Sequence, residues 1–192
     1  MPKREIDLPY RVENLSILDE NGQVDKSLDP ELSEDLLIKL YRGMVLSRKF
    51  DERMLILQRG GKIGTFAPIK GQEAQIGAAA ALTPEDWLVP SFREAPAEIW
   101  RGRTMESVLF YYSGYNEGGR IPEGVNNLPT AVPVGSQMLH AVGIGYGMKY
   151  RGNKTVAMTF FGDGATSQGD FHEAMNFASV FQTPTQRIWP RS

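Results

Sequence analysis

The chain has 192 residues, 41% of them hydrophobic and 23% charged, with a formal net charge of -2. That length holds one domain or slightly more around a real core, and the near-neutral balance carries no basic footprint for nucleic acid. With no cysteine and only two histidines, His140 and His172, it excludes disulfides, thiolate metal sites and a cysteine nucleophile, and leaves little for a histidine-based metal cluster.

Met1-Pro2-Lys3-Arg4-Glu5-Ile6-Asp7 lacks the apolar core of a signal peptide, and no apolar run approaches a bilayer span. A cytoplasmic protein with no membrane partner is expected. Residues 1–28 read as an N-terminal arm with an Asn21-Gly22 turn between Leu15/Ile17/Leu18 and Val24. Such an arm is either a surface hairpin or a reach toward a partner subunit. Asp29-Pro30-Glu31 predicts a helix start, with a capping residue, a proline at the first turn and an acid near the positive end. Leu32, Leu36, Leu40, Met44, Phe50, Met54 and Leu57 continue at helical spacing toward Gly60-Gly61, with an irregularity expected near Gly43.

Gly64 to Ala74 then opens an alanine-rich helix ending near Ala81. Asp86-Trp87-Leu88-Val89-Pro90 reads as a short strand, with Ser91-Phe92-Arg93-Glu94 at the boundary to the next helix. Arg93, just past a strand end, suits either a phosphate clamp, because its fork matches phosphate oxygens, or a surface ion pair. Thr104 predicts the cap of a helix carrying Met105, Val108, Leu109 and Tyr112. Residues 113–131 are rich in Gly, Asn and Pro, a long connection of the kind that is functional or partner-facing. A helix is expected over His140–Tyr150, with Gly143 and Gly147 on one face for close helix contact across a dimer or domain seam and His140 packed and hydrogen-bonded.

The organising stretch is Thr155 to Asp170. Thr155-Val156-Ala157-Met158-Thr159-Phe160-Phe161 is an apolar run that reads as a buried strand, broken by Gly162-Asp163-Gly164. A carboxylate there would sit where open α/β sheets place their ligands, and glycines on both sides allow close backbone approach. An acid beside a phosphate-sized turn suggests a shared divalent cation, although Gly-Asp-Gly alone equally describes an ordinary strand-to-turn junction. Asp170-Phe171-His172-Glu173 fits a capping pattern for a helix through Phe181. Thr185-Gln186-Arg187-Ile188-Trp189-Pro190 is poor material for the central strand that βαβ alternation would require next.

Five blocks occur in order: Phe50-Asp51-Glu52-Arg53, Gly71-Gln72-Glu73-Ala74, Phe92-Arg93-Glu94, Val134-Gly135-Ser136-Gln137 and Gly162-Asp163-Gly164-Ala165 continuing to Ala174. Over residues 36–184 the chain resembles the alpha subunits of thiamine-diphosphate-dependent 2-oxo acid dehydrogenase E1 components, most closely the pyruvate dehydrogenase type. The resemblance implies an α/β thiamine-diphosphate-binding fold, a mostly parallel sheet flanked by helices with its C-terminal part missing. It divides the chain into the arm 1–28, a truncated diphosphate-half domain 29–184 and an atypical tail 185–192. Asp163 is the implied Mg2+ ligand, and Gly162, Gly164 and Ala165 would line the diphosphate. Arg93 would contact phosphate beside Phe92, and Val132 and Val134 would support the organic part of the cofactor. No catalytic residue is implied in this chain.

The implied partners are an E1 beta subunit in an α2β2 heterotetramer, a lipoyl-bearing E2 component and pyruvate. The implied reaction is oxidative decarboxylation of pyruvate with transfer of acetyl to the lipoyl group. Relatives acting on branched-chain 2-oxo acids or acetoin, and an inactive fragment, stand as alternatives. The family completes its metal shell with an asparagine further along, where Ser192 falls, and the last seven residues are expected to be a shifted or spliced reading frame.

Overall fold

The computed structural model describes residues 16–188, with side chains through residue 185. Leu15, the rest of residues 1–15 and the tail beyond 188 lie outside the described residues. The chain divides between Leu37 and Ile38 into two units.

In the first unit, Leu18 and Val24 form an antiparallel bridge around Gly22 (φ 79°), and the Asp19 carboxylate accepts from the N–H groups of Asn21 and Gln23 at 2.9 and 2.7 Å. The turn expected at Asn21-Gly22 is therefore present. The helix expected from Asp29 is not. Asp29 closes an Asx turn onto the Glu31 N–H (3.0 Å), Glu31 takes a left-handed φ of 49°, and helix α1 (Glu34–Arg59) starts one turn later. The Ser33 hydroxyl accepts from the Leu36 N–H at 3.3 Å and does the capping instead.

α1 is unbroken through Gly43. A Cβ there would meet Ile76 Cδ1 at 3.2 Å and the Trp100 ring at 3.4 Å, so this glycine admits neighbouring helices rather than bending its own. Helix α2 (Gln75–Ala80) and strand β1 (Trp87–Val89) follow. Next come helices α3 (Ala95–Trp100) and α4 (Met105–Tyr112), the latter capped by Thr104, whose hydroxyl accepts from Ser107 N–H at 3.1 Å. Helix α5 (Ser136–Tyr150), strand β2 (Ala157–Phe160), helix α6 (Gly169–Val180) and strand β3 (Thr185–Ile188) complete the described chain.

The three strands form one parallel sheet in the order β1-β2-β3, with Val89 opposite Thr159 and Phe160 opposite Ile188. The segment read as poor strand material thus is a strand. It takes an edge of the sheet as described, where its sequence is less constrained than at the centre. β2 is buried along its whole length and alternates between two cores. Met158 and Phe160 join Leu88, Ala79 and Ala97 under α2 and α3, while Ala157 joins Val89 and Ala141 under α5. A sheet covered on both faces explains why the run is apolar throughout rather than alternating. The Asp86 carboxylate, 7% exposed, accepts from the Val156 N–H (2.8 Å) on one oxygen and from Thr83 N–H and hydroxyl on the other, tying the entry of β1 to that of β2.

α5 begins at Ser136, a turn before the expected start, because Gly135 (φ 93°) turns the chain into the helix. His140 is exposed rather than packed. Gly143 and Gly147 face open space, and the close contact inside this chain is made by Gly145 instead. A Cβ on Gly145 would lie 2.8 Å from Thr185 Oγ1 and 3.4 Å from the Pro184 carbonyl. Asp170 sits inside α6 and not at its cap, since the helix opens at Gly169.

The two glycine classes should separate on substitution. Gly145→Ala forces α5 off the start of β3 and should cost about 1–3 kcal/mol. Gly143→Ala should leave stability unchanged or raise it by up to about 1 kcal/mol through helix propensity. Urea unfolding of both variants checks the contrast.

Candidate functional site

β1 and β2 are parallel, so the segments leaving their C-terminal ends emerge on the same side of the sheet. Ser91–Glu94 follows β1 and Phe161–Ala165 follows β2. Together with Val134, just before α5, and Gln137 in its first turn they enclose a cleft of about 350 Å³.

The turn after β2 is a short 3-10 helix, Asp163–Ser167. Ala165 is buried, and its N–H donates to the Gly162 carbonyl (3.1 Å) while the Thr166 hydroxyl donates to the Asp163 carbonyl (2.6 Å). Those bonds shape the backbone and leave the Asp163 side chain exposed at the cleft. A Cβ built on Gly162 or Gly164 would meet no protein atom within 4 Å, so the backbone on both sides of the carboxylate faces open space.

Phe92 and Arg93 form the opposite wall. The Tyr112 hydroxyl donates to the Phe92 carbonyl at 3.1 Å, and burial pushes this phenol up to about 12, so it stays a neutral donor. Gln75 Nε2 donates to the Arg93 carbonyl at 3.1 Å. The Arg93 guanidinium lies against the Phe92 ring, 5.4 Å from its centroid, and spends Nη1 on the Pro68 carbonyl at 2.6 Å. Among the described residues it forms no ion pair. Of the two readings of Arg93, the surface ion pair is therefore not what the structure contains.

Seven of the eight residues expected at the site line this cleft: Phe92, Arg93, Val134, Gly162, Asp163, Gly164 and Ala165. Val132 does not. It lines a second, wider cleft of about 740 Å³ with Tyr111, Tyr112 and Tyr115, and Phe92 borders both spaces. Pro133 explains the parting: its fixed φ lies between the two valines, and its carbonyl accepts from the Ser136 N–H and hydroxyl at 3.3 and 2.9 Å.

Six residues lining the cleft are not among the expected site residues: Ser91, Phe160 and Phe161, and also Gln72, Glu94 and Gln137. Gln137 is 2% exposed, donates Nε2 to the Phe160 carbonyl at 2.8 Å, and its Oε1 has no hydrogen-bond partner among the described residues. Gln72 is held at the rim by its neighbour Glu73, which pairs with Arg48 and accepts from the Gly71 N–H (φ 94°) at 3.1 and 3.2 Å. Glu94 is buried behind Arg93, whose N–H donates to its Oε2 at 3.2 Å. Gln72, Glu94 and Gln137 lie in three of the blocks that carry the resemblance, but their residue types alone imply no role there, so only their placement shows it.

The chemistry fits a hard cation bridged to a phosphate. One exposed carboxylate beside open backbone leaves most of an octahedral oxygen shell to phosphate and water, which is how Mg2+ is commonly held. No group of three or more potential metal-ligating His, Asp or Glu side chains occurs among the described residues, so Asp163 would supply one ligand rather than a cage. No described helix is long and apolar enough to cross a membrane.

A sequence profile described as "Dehydrogenase E1 component" matches residues 41–189, more than half of the chain. The chain belongs to the dehydrogenase E1 component family. Over 174 residues it is 42% identical to a Bacillus cereus protein named pyruvate dehydrogenase E1 component subunit alpha, covering 90% of this chain and 47% of that protein. Proteins of the same name from Staphylococcus aureus (strain Mu50 / ATCC 700699) and Staphylococcus epidermidis (strain ATCC 35984) are 39% and 40% identical over 180 and 176 residues. They cover 93% and 91% of this chain and 49% and 48% of their own lengths. The E1 chain described here therefore spans about half the length of these relatives.

Two of the three buried glutamates among the described residues of this E1 chain, Glu73 and Glu94, make opposite pH signatures. The Arg48 partnership holds Glu73 down from 4.5 to about 2, so its stabilising contribution is present above pH 4.5 and is lost as pH falls toward 2. Burial pushes Glu94 up from 4.5 to about 7, so the folded state keeps a proton there that the unfolded state releases, and stability falls as pH rises from 4.5 to 7. Glu94→Gln should therefore be more stable than wild type at pH 8, by up to about 3 kcal/mol, and lose that advantage below pH 4.5. Glu73→Gln should be less stable at pH 7 and converge with wild type near pH 2. Urea unfolding across that pH range tests both.

Proposed function

We propose that this chain provides the diphosphate-binding half of a thiamine-diphosphate-dependent E1 active site. Its partners would be an E1 beta subunit in an α2β2 heterotetramer and a lipoyl-bearing E2 component. The reaction would be oxidative decarboxylation of pyruvate, with transfer of the acetyl group to the lipoyl arm. The observation that carries the reading is the exposed Asp163 carboxylate, set between two open glycines at the end of a buried strand and across one cleft from Arg93. The names of the relatives supply the substrate class.

In this reading Asp163 holds Mg2+ by its carboxylate, and the metal is shared with the diphosphate. Gly162 and Gly164 let the phosphates approach the backbone. Ala165 contributes contact surface, because its N–H is already committed to the Gly162 carbonyl. Arg93, with one donor on Pro68, turns its remaining fork to phosphate oxygens. Val134 and Val132, on either side of Pro133, present apolar surface to the organic part of the ligand in the two adjoining clefts. When bound, the cofactor supplies stabilisation of the carbanion formed on decarboxylation, and the protein supplies binding, orientation and electrostatics.

Calorimetric titration with thiamine diphosphate and Mg2+, with the beta subunit present, tests the binding, and carbon dioxide release from pyruvate tests the reaction. Saturable binding is expected for wild type. Arg93→Met should weaken it at least about 10-fold, the loss of a charge-assisted phosphate contact. Turnover of pyruvate should exceed that of branched-chain 2-oxo acids or acetoin. No binding, or a reversed substrate order, would contradict the proposal.

A further inference from the structure

The connection between α4 and α5 carries both site valines, and over residues 120–135 its regular pairing is one parallel bridge of Asn127 to Leu88, with the Leu88 N–H on the Asn126 carbonyl and the Leu128 N–H on the Leu88 carbonyl, both at 2.9 Å. Two arginines from the corner between α3 and α4 add side-chain ties on either side of that bridge. Gly102, at φ 109°, separates them. Arg101 donates Nε to Asn127 Oδ1 (2.9 Å) and Nη2 to the Asp86 carbonyl (2.7 Å), fixing the connection where it runs beside β1.

Arg103 reaches further. It is 4% exposed and pairs through Nη1 with Glu98 Oε1 at 2.7 Å. Nη2 donates to the Gly118 carbonyl at 2.7 Å, and Nη1 also donates to Thr130 Oγ1 at 3.2 Å. The Ser107 hydroxyl donates to the same Gly118 carbonyl at 3.0 Å. Gly118 is pressed so closely onto α4 that a Cβ would lie 2.0 Å from the Tyr111 amide nitrogen. One guanidinium therefore fastens two points of the connection that are a dozen residues apart in sequence.

A buried ion pair of this kind does little for net stability, since apolar side chains of the same size often serve as well. What an apolar pair could not supply is the fork of donors that fixes Gly118 and Thr130 relative to each other. Thr130 lies two residues before Val132 and four before Val134. The segment between is otherwise held by the Ala131 N–H on the Pro90 carbonyl (3.2 Å) and by Pro133 on the start of α5. We propose that Arg103 is a positioning residue for the cofactor site, holding residues 118–130 so that Val132 and Val134 stand at the two clefts. This rests on the thiamine diphosphate reading of the site.

The test uses a charge-balanced variant, Glu98→Gln with Arg103→Met, so that no lone buried charge remains. Three quantities are read beside wild type: melting temperature, hydrogen exchange of amides 117–134 against 157–165, and the dissociation constant for thiamine diphosphate with Mg2+. The inference expects a melting temperature near wild type, faster exchange confined to 117–134 and affinity lowered at least about tenfold, a factor well above the scatter of such titrations. Faster exchange with affinity within twofold of wild type would overturn it, as would unchanged exchange. If the double variant does not fold, Thr130→Val removes only the hydroxyl contact and should weaken binding about threefold. Unchanged affinity there would overturn the inference too. Failure of the wild-type chain to bind would count instead against the cofactor reading, and the exchange comparison would still decide whether Arg103 pins the connection.

Discussion

Parallel pairing of β1 with β2 is the constraint on which the rest depends. Parallel strands bring their C-terminal ends to one edge, so whatever follows Val89 and whatever follows Phe160 must meet. β2 is sealed under helices on both faces, and its backbone can leave the sheet only where polar groups regain partners or water. Gly162-Asp163-Gly164 is that exit. The carboxylate is thus delivered to the cleft by the same burial that makes the strand apolar, and the arginine across from it arrives on the neighbouring strand's exit.

The charged groups divide by task. Asp86, Glu73, Glu98, Arg101 and Arg103 spend their hydrogen-bonding capacity on backbone and on one another, and they set register and hold loops. Asp163 and Arg93, both lining the cleft, are committed less fully. The Asp163 side chain is exposed, and the Arg93 guanidinium gives one donor to a carbonyl and forms no ion pair among the described residues. This division separates buried charges that hold the scaffold from the pair that lines the proposed ligand site.

Much of this was readable before any coordinates. The apolar run ending in Gly-Asp-Gly, the strand before Ser91 and the Thr104 cap depend on local chemistry and periodicity, and they are where the residues place them. The late start of α1 was hidden because Asp29 can close an Asx turn as readily as it caps a helix, and Ser33 offers the alternative cap. β3 was missed because edge position relaxes the composition a central strand needs. That Gly145 is the glycine of α5 packed within this chain depends on which face of α5 meets β3, a tertiary fact that helical spacing does not encode. Val132 and Val134 look equivalent in sequence, and only Pro133 and its bonds to Ser136 send them to different clefts. Gln137 and Glu94 stand inside the resemblance blocks, but nothing in their residue types marks them as lining the cleft.

The central claim is that Asp163 and a diphosphate share one divalent cation. Titration of the chain with Mn2+ as a Mg2+ substitute, following the free-ion electron paramagnetic resonance signal with and without thiamine diphosphate, tests it most directly. The account predicts that the diphosphate tightens Mn2+ binding at least about tenfold beyond what the two bind in free solution, and that Asp163→Ala abolishes this coupling while leaving the fold intact. Equal Mn2+ binding with and without the diphosphate, or coupling that survives loss of the Asp163 carboxylate, would contradict it.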